Sequence, residues 1–510
     1  MTTYKGIEAE TGIELDGEFT INTITDVNEA MKNANESFLA YKKTSNAQRA
    51  TFLRKIAENI ENLGEELIQR ACAESALPAG RITGERGRTV GQLRLFATYI
   101  QNGEWTNPSI DLAQPDRQPM PKADIRKCLE AVGPVVVFGA SNFPLAFSTA
   151  GGDTASALAS GCSVVVKAHP AHPGTSELVA SAIINAAKET GMPDNVFQHL
   201  HDNSFEVGSA LVKHSLTKSV AFTGSFNGGK ALYDIASNRE EPIPVFAEMG
   251  SINPVLLLPD YLNNNTEKAA EIYAGSVTLG AGQFCTNPGL IIGLKGEGLN
   301  SFAKNLSEKL KNSVPQKMLN KGIYSSFKKG LSDIYQNNGL SSSEVNNDEE
   351  NEKVIGSLAR VEAKNFVLNS KFHEELFGPF TLIVECENEK EMADVISSIK
   401  GQLTGTVMGE NSDFKNFESH IESLKNRVGR ILFNGAPTGV EVCHSMHHGG
   451  PFPSTTDSRF TSVGTDAVLR FVRPVCFQNC PEFLLPEVLR NENTTGATRL
   501  VDGVYTTKSL

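Results

Sequence analysis

From residue 131 onward, short β-rich runs alternate with helical stretches, and that alternation leaves the chain few folds to choose from. Val135 to Phe138, Ser163 to Val166, Val196 to Leu200 and Ser219 to Thr223 read as strands, with a helical stretch at Thr175 to Thr190 between two of them. Strands alternating with helices form a parallel, doubly wound sheet. A second block of the same texture opens at Pro254-Val255-Leu256-Leu257-Leu258. The predicted architecture is therefore α/β, with two doubly wound parallel-sheet domains and a cleft between them. A length of 510 residues fits this, at roughly 100–200 residues per domain, and 40% hydrophobic content is enough for large cores. Upstream, Phe52, Leu53, Ile56, Ile60, Leu63 and Leu67 recur at helical spacing, which predicts one amphipathic helix within 46 to 75. The run from Ser341 to Glu352 has almost nothing to bury and reads as a solvated loop.

Charge and targeting signals exclude several classes of function. Lys plus Arg number 47 against 59 acids, a formal charge of −12 that opposes unspecific attraction to nucleic acid or anionic lipid. The amino terminus has no apolar signal core, and no stretch approaches the ~20 apolar residues of a membrane span. A soluble cytoplasmic protein with no nucleic-acid or membrane partner is expected. Eight cysteines in so long a chain lack the density of a disulfide scaffold, so reduced thiols are expected.

One of those cysteines stands apart. Gly280-Ala281-Gly282-Gln283-Phe284-Cys285-Thr286 sets Cys285 among glycines, in a segment too irregular to look like core. Its alternatives are a small buried hydrophobe and a nucleophile. A thiol has an ordinary pKa of about 8.5, so the second requires a setting that favours the thiolate. Upstream, Pro244-Val245-Phe246-Ala247-Glu248-Met249-Gly250 runs an apolar strand into a carboxylate and a glycine turn. In an open α/β sheet, catalytic groups gather at such strand ends.

The pair Glu248 and Cys285 resembles the general base and nucleophile of the aldehyde dehydrogenase superfamily. Further matches follow in the family's order. Val135 to Pro144 resembles its strand and oxyanion-asparagine turn, with Asn142 as the asparagine; Val164-Val165-Val166-Lys167 resembles its ribose-binding strand end. Phe222-Thr223-Gly224-Ser225 with Gly228 and Gly229 resembles its phosphate-contacting turn, and Glu374 to Pro379 the segment in which Glu375 holds the nicotinamide ribose. The resemblance implies two Rossmann-like domains in the aldehyde dehydrogenase fold, with a small β oligomerisation element. The dinucleotide-binding domain is expected at 1–110 and 131–247, the catalytic domain at 248–464, and the oligomerisation hairpin and tail at 111–130 and 465–510. A homodimer or homotetramer is implied.

The chain lacks a G-x-G-x-x-G fingerprint, but Thr223-Gly224-Ser225 ends a strand and a helix is expected from Phe226, so backbone N–H groups and the Ser225 hydroxyl can meet a pyrophosphate. The bland alternative is that Gly228 and Gly229 form a tight strand-to-helix connection. Family members that prefer NAD often carry glutamate three residues after the ribose-binding lysine; here Pro170 follows Lys167 and bears no charge. NADP is expected, with NAD possible, and the span His169 to Pro173 is also readable as a rigid turn. By resemblance, Cys285 attacks an aldehyde, Asn142 and the Cys285 N–H hold the oxyanion, Glu248 activates the hydrolytic water, and Phe377 packs on the cofactor or in the core.

Cys443-His444-Ser445-Met446-His447-His448 fits no standard zinc spacing, so no metal is expected, and His448 resembles a histidine near the nucleophile in one branch of the family. Ser141 in place of a tryptophan, the turn Glu248-Met249-Gly250-Ser251, and His448-Gly449-Gly450-Pro451 resemble the 2-oxoglutarate semialdehyde (2,5-dioxovalerate) dehydrogenases, with the NADP-linked fatty aldehyde dehydrogenase of luminous bacteria as a relative. The expected reaction is oxidation of 2-oxoglutarate semialdehyde to 2-oxoglutarate. The alternatives are a medium- or long-chain fatty aldehyde, acyl transfer to coenzyme A, and a catalytically silent structural homologue.

Overall fold

The computed structural model describes residues 2–336, 339–344, 347–348 and 352–510. Three large sheets organise them. The first has five parallel strands in the order Phe197–Leu200, Val164–Lys167, Val135–Phe138, Ser219–Thr223 and Val245–Glu248. Side chains alternate across it: Val135, Val137, Val164 and Val166 enter one core with the helices Asn46–Asn62 and Pro173–Glu189, whereas Val136, Val165 and Val220 enter another with Val27, Ala30 and Met31 of helix Ile24–Tyr41. Each fully buried valine contributes about 1.5–3 kcal/mol, so cover on both faces is what the apolar runs require.

The second sheet orders Leu340–Glu344, Ser357–Glu362, Phe380–Cys386, Leu290–Leu294, Val255–Leu257, Gln402–Met408 and Val428–Phe433. Its pairs are parallel except at the first edge, where Leu340–Glu344 runs antiparallel. The fold is α/β with two doubly wound parallel sheets. A third sheet gathers Val472–Gln478, Ile125–Ala131, Ser109–Asp111, Arg499–Val501 and Val504–Thr506 from distant parts of the chain.

Two sequence expectations are corrected. The helix expected within 46 to 75 is two, Asn46–Asn62 and Gly64–Ser75, because Gly64 takes a φ of 55°, a left-handed conformation that only glycine adopts cheaply. The polar run from 341 is partly strand: its first residues belong to the edge strand Leu340–Glu344, and Asn347–Asp348 pairs with Lys353–Val354. An edge strand needs only backbone partners on one side, so it tolerates a polar sequence. Residues 345, 346 and 349–351 of that run lie outside the described residues.

Two long-range features position the site. Buried Glu74 caps the helix Pro173–Glu189, accepting the Gly174 and Thr175 N–H groups at 2.8 Å and the Thr175 hydroxyl at 2.7 Å. At the far edge of the first sheet, the chain near 455 returns beside Val245–Glu248: Met249 N–H donates to Ser454 O at 2.8 Å and Thr456 N–H to Ala247 O at 3.2 Å. That return covers the open edge on which Glu248 stands.

Candidate active site

Cys285 follows the helix Pro259–Thr278 through a loop in which Gly280, Ala281 and Gly282 have φ of 55°, 57° and 67°. A Cβ on Gly282 would lie 2.3 Å from the Gly378 backbone, so glycine is what lets the segment carrying Glu375 and Phe377 close on the cysteine loop. Two asparagines pin that loop. Asn253 Nδ2 donates to the carbonyls of Cys285 at 2.9 Å and Asn287 at 2.8 Å, while its oxygen accepts from Ser251 and Thr404. Asn142 Nδ2 donates to Gln283 O at 2.9 Å, which brings that amide to the cysteine loop.

A thiol, an imidazole and a carboxylate converge from three distant segments. His448 Nε2 lies 2.7 Å from Glu248 Oε1 and 3.5 Å from Cys285 Sγ, and the thiol, imidazole and carboxylate atoms all fall within 4.8 Å of one another. The Ser462 hydroxyl donates to the other oxygen, Glu248 Oε2. His448 is held through its backbone, its N–H donating to Thr461 Oγ1 at 2.8 Å and its carbonyl accepting from Ser462 N at 2.9 Å. Glu248 and His448 are buried and Cys285 is half-buried.

Burial and charge set the resting protonation. Burial first, then Glu248 and Glu375, pushes the Cys285 thiol well above its ordinary value, with Arg88 opposing. The resting sulfur is a thiol, so attack requires a base within reach. For Glu248, burial alone would raise the carboxyl; the contact with His448, the Ser462 hydroxyl and the nearby Arg470 outweigh it and leave the group below the ordinary glutamate range. It is ionised and can take a proton.

Around this cluster stand aromatic walls topped by guanidinium groups. Phe143 packs edge-on against Phe147 and Phe284 at centroid distances of 5.2 and 5.3 Å, and Phe147 lies 6.2 Å from the His448 ring. Arg81 sits 4.3 Å over Phe143 and Arg88 sits 5.0 Å over Phe147. Arg81 is ion-paired to Glu85, but Arg88 Nη1 is buried without a hydrogen-bond partner. Arg88 and Arg430 are each close enough to feel a negative charge on Cys285.

The remaining expected residues lie at the carboxyl ends of the first sheet or face it. Lys167 ends its strand, buried, with no ion pair among the described residues. Exposed Pro170 begins a turn that is also rigid in its own right, since His172 is buried and bonds through its ring to Ala140 O at 3.0 Å and Ser176 Oγ at 3.1 Å. Gly224 donates to Glu248 O at 3.0 Å, and Ser225 caps the helix Phe226–Ser237 by accepting from Gly228 N at 3.3 Å. A Cβ on Gly229 would lie 2.7 Å from Met249, so this glycine allows helix and strand to pack closely. Glu375 and Phe377 come from the second block and line one cleft with Ser251 and Phe284. A dinucleotide fits these residues: Thr223 Oγ1 is buried and orphaned beside a helix N-terminus, and burial, opposed by the Ser251 backbone N–H, pushes the Glu375 carboxyl up to about 7.

Residues 14–322 match the model of the aldehyde dehydrogenase family. The chain belongs to the aldehyde dehydrogenase family. It is 45% identical over 96% of its length to the alpha-ketoglutaric semialdehyde dehydrogenase of Acinetobacter baylyi, covering 93% of that protein. It is 46% identical over 98% of its length to alpha-ketoglutaric semialdehyde dehydrogenase 2 of Azospirillum brasilense, covering 96% of it. The fold superposes on a Thermus 1-pyrroline-5-carboxylate dehydrogenase with bound NAD at a TM-score of 0.79, with 18% identity, over 94% of this chain and 90% of the other. This aldehyde dehydrogenase oxidises an aldehyde to a carboxylic acid with NAD(P). Among the described residues, no helix is long and apolar enough to cross a membrane.

Sequence reasoning missed three participants. Ser462 carries no local pattern and meets Glu248 only through the returning segment. Asn253 lies five residues after Glu248, where its φ of 46° marks a strained position that only the backbone reveals. Arg88 lies on the helix Ala79–Tyr99, far in sequence from every motif.

Proposed function

We propose that this aldehyde dehydrogenase acts on 2-oxoglutarate semialdehyde, yielding 2-oxoglutarate, with Cys285 as nucleophile and Glu248 as base. One observation carries the choice of substrate: the buried, unpartnered Arg88 Nη1, with Arg430 also in electrostatic reach of Cys285. A short aldehyde with a carboxylate at its far end places that anion beside Arg88 Nη1, which lacks a hydrogen bond although Nη2 donates to Val440 O at 3.3 Å and Glu85 lies nearby. The names of the two relatives from Acinetobacter and Azospirillum support the same reading.

The thiol proton passes to water in the cleft, leaving Glu248 ionised, and the sulfur bonds to the aldehyde carbon. The His448 Nε2–H, set between carboxylate and sulfur, donates to whichever carries the charge. The oxyanion is held by the second Asn142 N–H and the Cys285 backbone N–H. The nicotinamide, when bound, supplies the hydride acceptor, and a thioester is left on Cys285. Glu248 then draws a proton from water, which attacks the thioester; the S–C bond breaks, the acid leaves and the thiolate is regenerated. Lys167 and Glu375 would hold ribose hydroxyls, Gly224 and Ser225 would border the pyrophosphate, and Phe377 would pack against the cofactor. Gly229 serves by close packing of its helix on Met249.

NADP is the proposed coenzyme, with NAD accepted, because exposed Pro170 presents no carboxylate to repel a 2′-phosphate and the Lys167 amine stands at the same strand end. Introducing the charge with Pro170→Glu raises KM for NADP more than KM for NAD; an unchanged ratio removes this assignment. Working as a homodimer or homotetramer fits the third sheet, whose edge strand Val504–Thr506 exposes Val504 and Tyr505; light scattering tests it.

The aromatic walls favour a second reading, a longer apolar aldehyde, since Phe143, Phe147 and Phe284 suit a hydrocarbon chain. Arg88→Met separates the two. A charge-assisted hydrogen bond is worth about 1.5–3 kcal/mol, so kcat/KM for the semialdehyde should fall roughly 10- to 100-fold while straight-chain aldehydes change less than about threefold. Equal losses on both, with wild-type preference rising with chain length, establish the fatty-aldehyde reading instead.

A further inference from the structure

At the edge of the first sheet opposite Glu248, a second group of chemistry-bearing side chains meets. His199 lies in the outermost strand, Phe197–Leu200, and His201 directly follows it; a spacing of two places both imidazoles on one side of the strand. Glu177, in the second turn of the helix Pro173–Glu189, turns a single carboxylate oxygen toward both. Its Oε2 lies 2.9 Å from His201 Nε2 and 3.4 Å from His199 Nδ1, and the three atoms fall within 4.8 Å of one another.

We propose that Glu177, His199 and His201 form a binding site for one divalent transition-metal ion of the zinc class. Bonds of about 2.0–2.1 Å to nitrogen and oxygen place neighbouring ligands of a tetrahedral zinc about 3.3 Å apart. The two carboxylate–imidazole separations, 2.9 and 3.4 Å, bracket that value, and the two ring nitrogens lie within 4.8 Å of each other. Two imidazoles with one carboxylate select zinc-like ions over magnesium or calcium, which take all-oxygen sets. Around His201 the surroundings also have the form a metal site requires, while His199 Nε2 is buried without a partner. His201 binds through Nε2, so its Nδ1 must carry the proton, and Nδ1 faces the Tyr4 hydroxyl oxygen at 3.0 Å. That outer hydrogen bond fixes both tautomer and ring orientation.

Phe19 covers the same ring at a centroid distance of 5.1 Å, and the backbone of His201 is locked to Asn22, accepting from its N–H at 2.9 Å and donating to its Oδ1 at 2.7 Å. The two histidine side chains are nearly buried, at 4% and 9% exposure, while Glu177 is 53% exposed; the fourth position therefore opens to water on the carboxylate side. An ion there joins the outermost strand, the helix and, through Tyr4, the amino-terminal pair of strands Thr3–Tyr4 and Phe19–Thr20. Its role is structural, because the cluster stands at the sheet edge opposite the reacting atoms.

The test uses the full chain carrying Cys285→Ala, which removes the thiolate of the other cysteine–histidine–glutamate group as a competing ligand. Zinc chloride titrated by calorimetry should bind one equivalent per chain and raise Tm. Adding His199→Ala and His201→Ala together should abolish that equivalent, and Glu177→Gln should weaken it about 10- to 100-fold. The same histidine substitutions in the active enzyme should leave aldehyde oxidation within about twofold. If the double variant does not fold, cobalt(II) in the Cys285→Ala chain is the second measurement: visible d–d absorption of four-coordinate intensity supports the site. No saturable zinc, equal zinc binding with and without the two histidines, or a purely octahedral cobalt spectrum overturns it.

Discussion

Two glutamate–histidine contacts occupy opposite edges of one five-stranded sheet, and they differ in what encloses them. At the site edge, Glu248 is 4% exposed, lies 2.7 Å from His448, is bonded to Ser462 and shares its imidazole with the Cys285 thiol. At the outer edge, Glu177 is 53% exposed and lies 2.9 Å from His201, with a second imidazole where the first edge has sulfur. The same pair of residue types thus serves different ends. Burial strengthens electrostatic interactions and sets a carboxylate beside the proposed nucleophile; exposure beside a second imidazole gives the ligand set of the proposed metal site. What decides between them is the third side chain and the cover over the carboxylate.

The largest expected effect breaks that comparison most directly. Cys285→Ala should lower NAD(P)H formation at least ~10⁴-fold in steady-state assays, whereas Glu177→Gln should leave it within about twofold. Comparable losses from both would mean the two edges are not functionally separate. Next is Glu248→Gln, which should allow one fast burst of reduced coenzyme and then slow turnover about 10²- to 10⁴-fold as the thioester persists. The same change removes a negative charge that holds the Cys285 thiol high, so alkylation of the cysteine by iodoacetamide should quicken at a given pH. Slower alkylation would make Glu248 the only route for the thiol proton.

Smaller still is Ser462→Ala, which strips a hydrogen bond from a buried carboxylate at a cost of about 1–3 kcal/mol in denaturant unfolding. The corresponding cost at half-exposed Glu177 should be much less, since water replaces any partner removed there. The smallest effect concerns Glu375. Its carboxyl is raised to about 7 by burial, so the folded chain holds that proton more tightly than the unfolded one. Its contribution to stability is present below the ordinary glutamate range and is lost as pH rises through about 7. Glu375→Gln should flatten that slope between pH 5 and 8. Coenzyme hydroxyls that bond the ionised carboxylate should also release up to one proton per site near pH 7, which calorimetry in buffers of different ionisation enthalpy detects.

Much of the site was legible because it is carried by local patterns. The apolar run ending in Glu248, the glycine-rich loop of Cys285 and the strand ends at Lys167 and Thr223 each announce themselves within a few residues, and each stands where a strand stops or a loop turns back. The helix break at Gly64 was missed because a left-handed glycine leaves the spacing of Ile60, Leu63 and Leu67 almost intact. Strand pairing in the polar run after residue 340 was missed because an edge strand has no need of an apolar sequence.

By itself, the sequence determined the alternation that makes two parallel sheets and singled out the carboxylate and thiol proposed to do the chemistry. Those are properties of short windows, where periodicity and turn residues act on the backbone directly. Only the tertiary structure decided that His448 and Ser462 would close on Glu248, that Arg88 would face Cys285 with a nitrogen unpartnered, and that Glu177 would meet His199 and His201. Those meetings join segments 22 to more than 200 residues apart, brought together by the burial of sheet faces and edges that carry no mark of what they will place side by side.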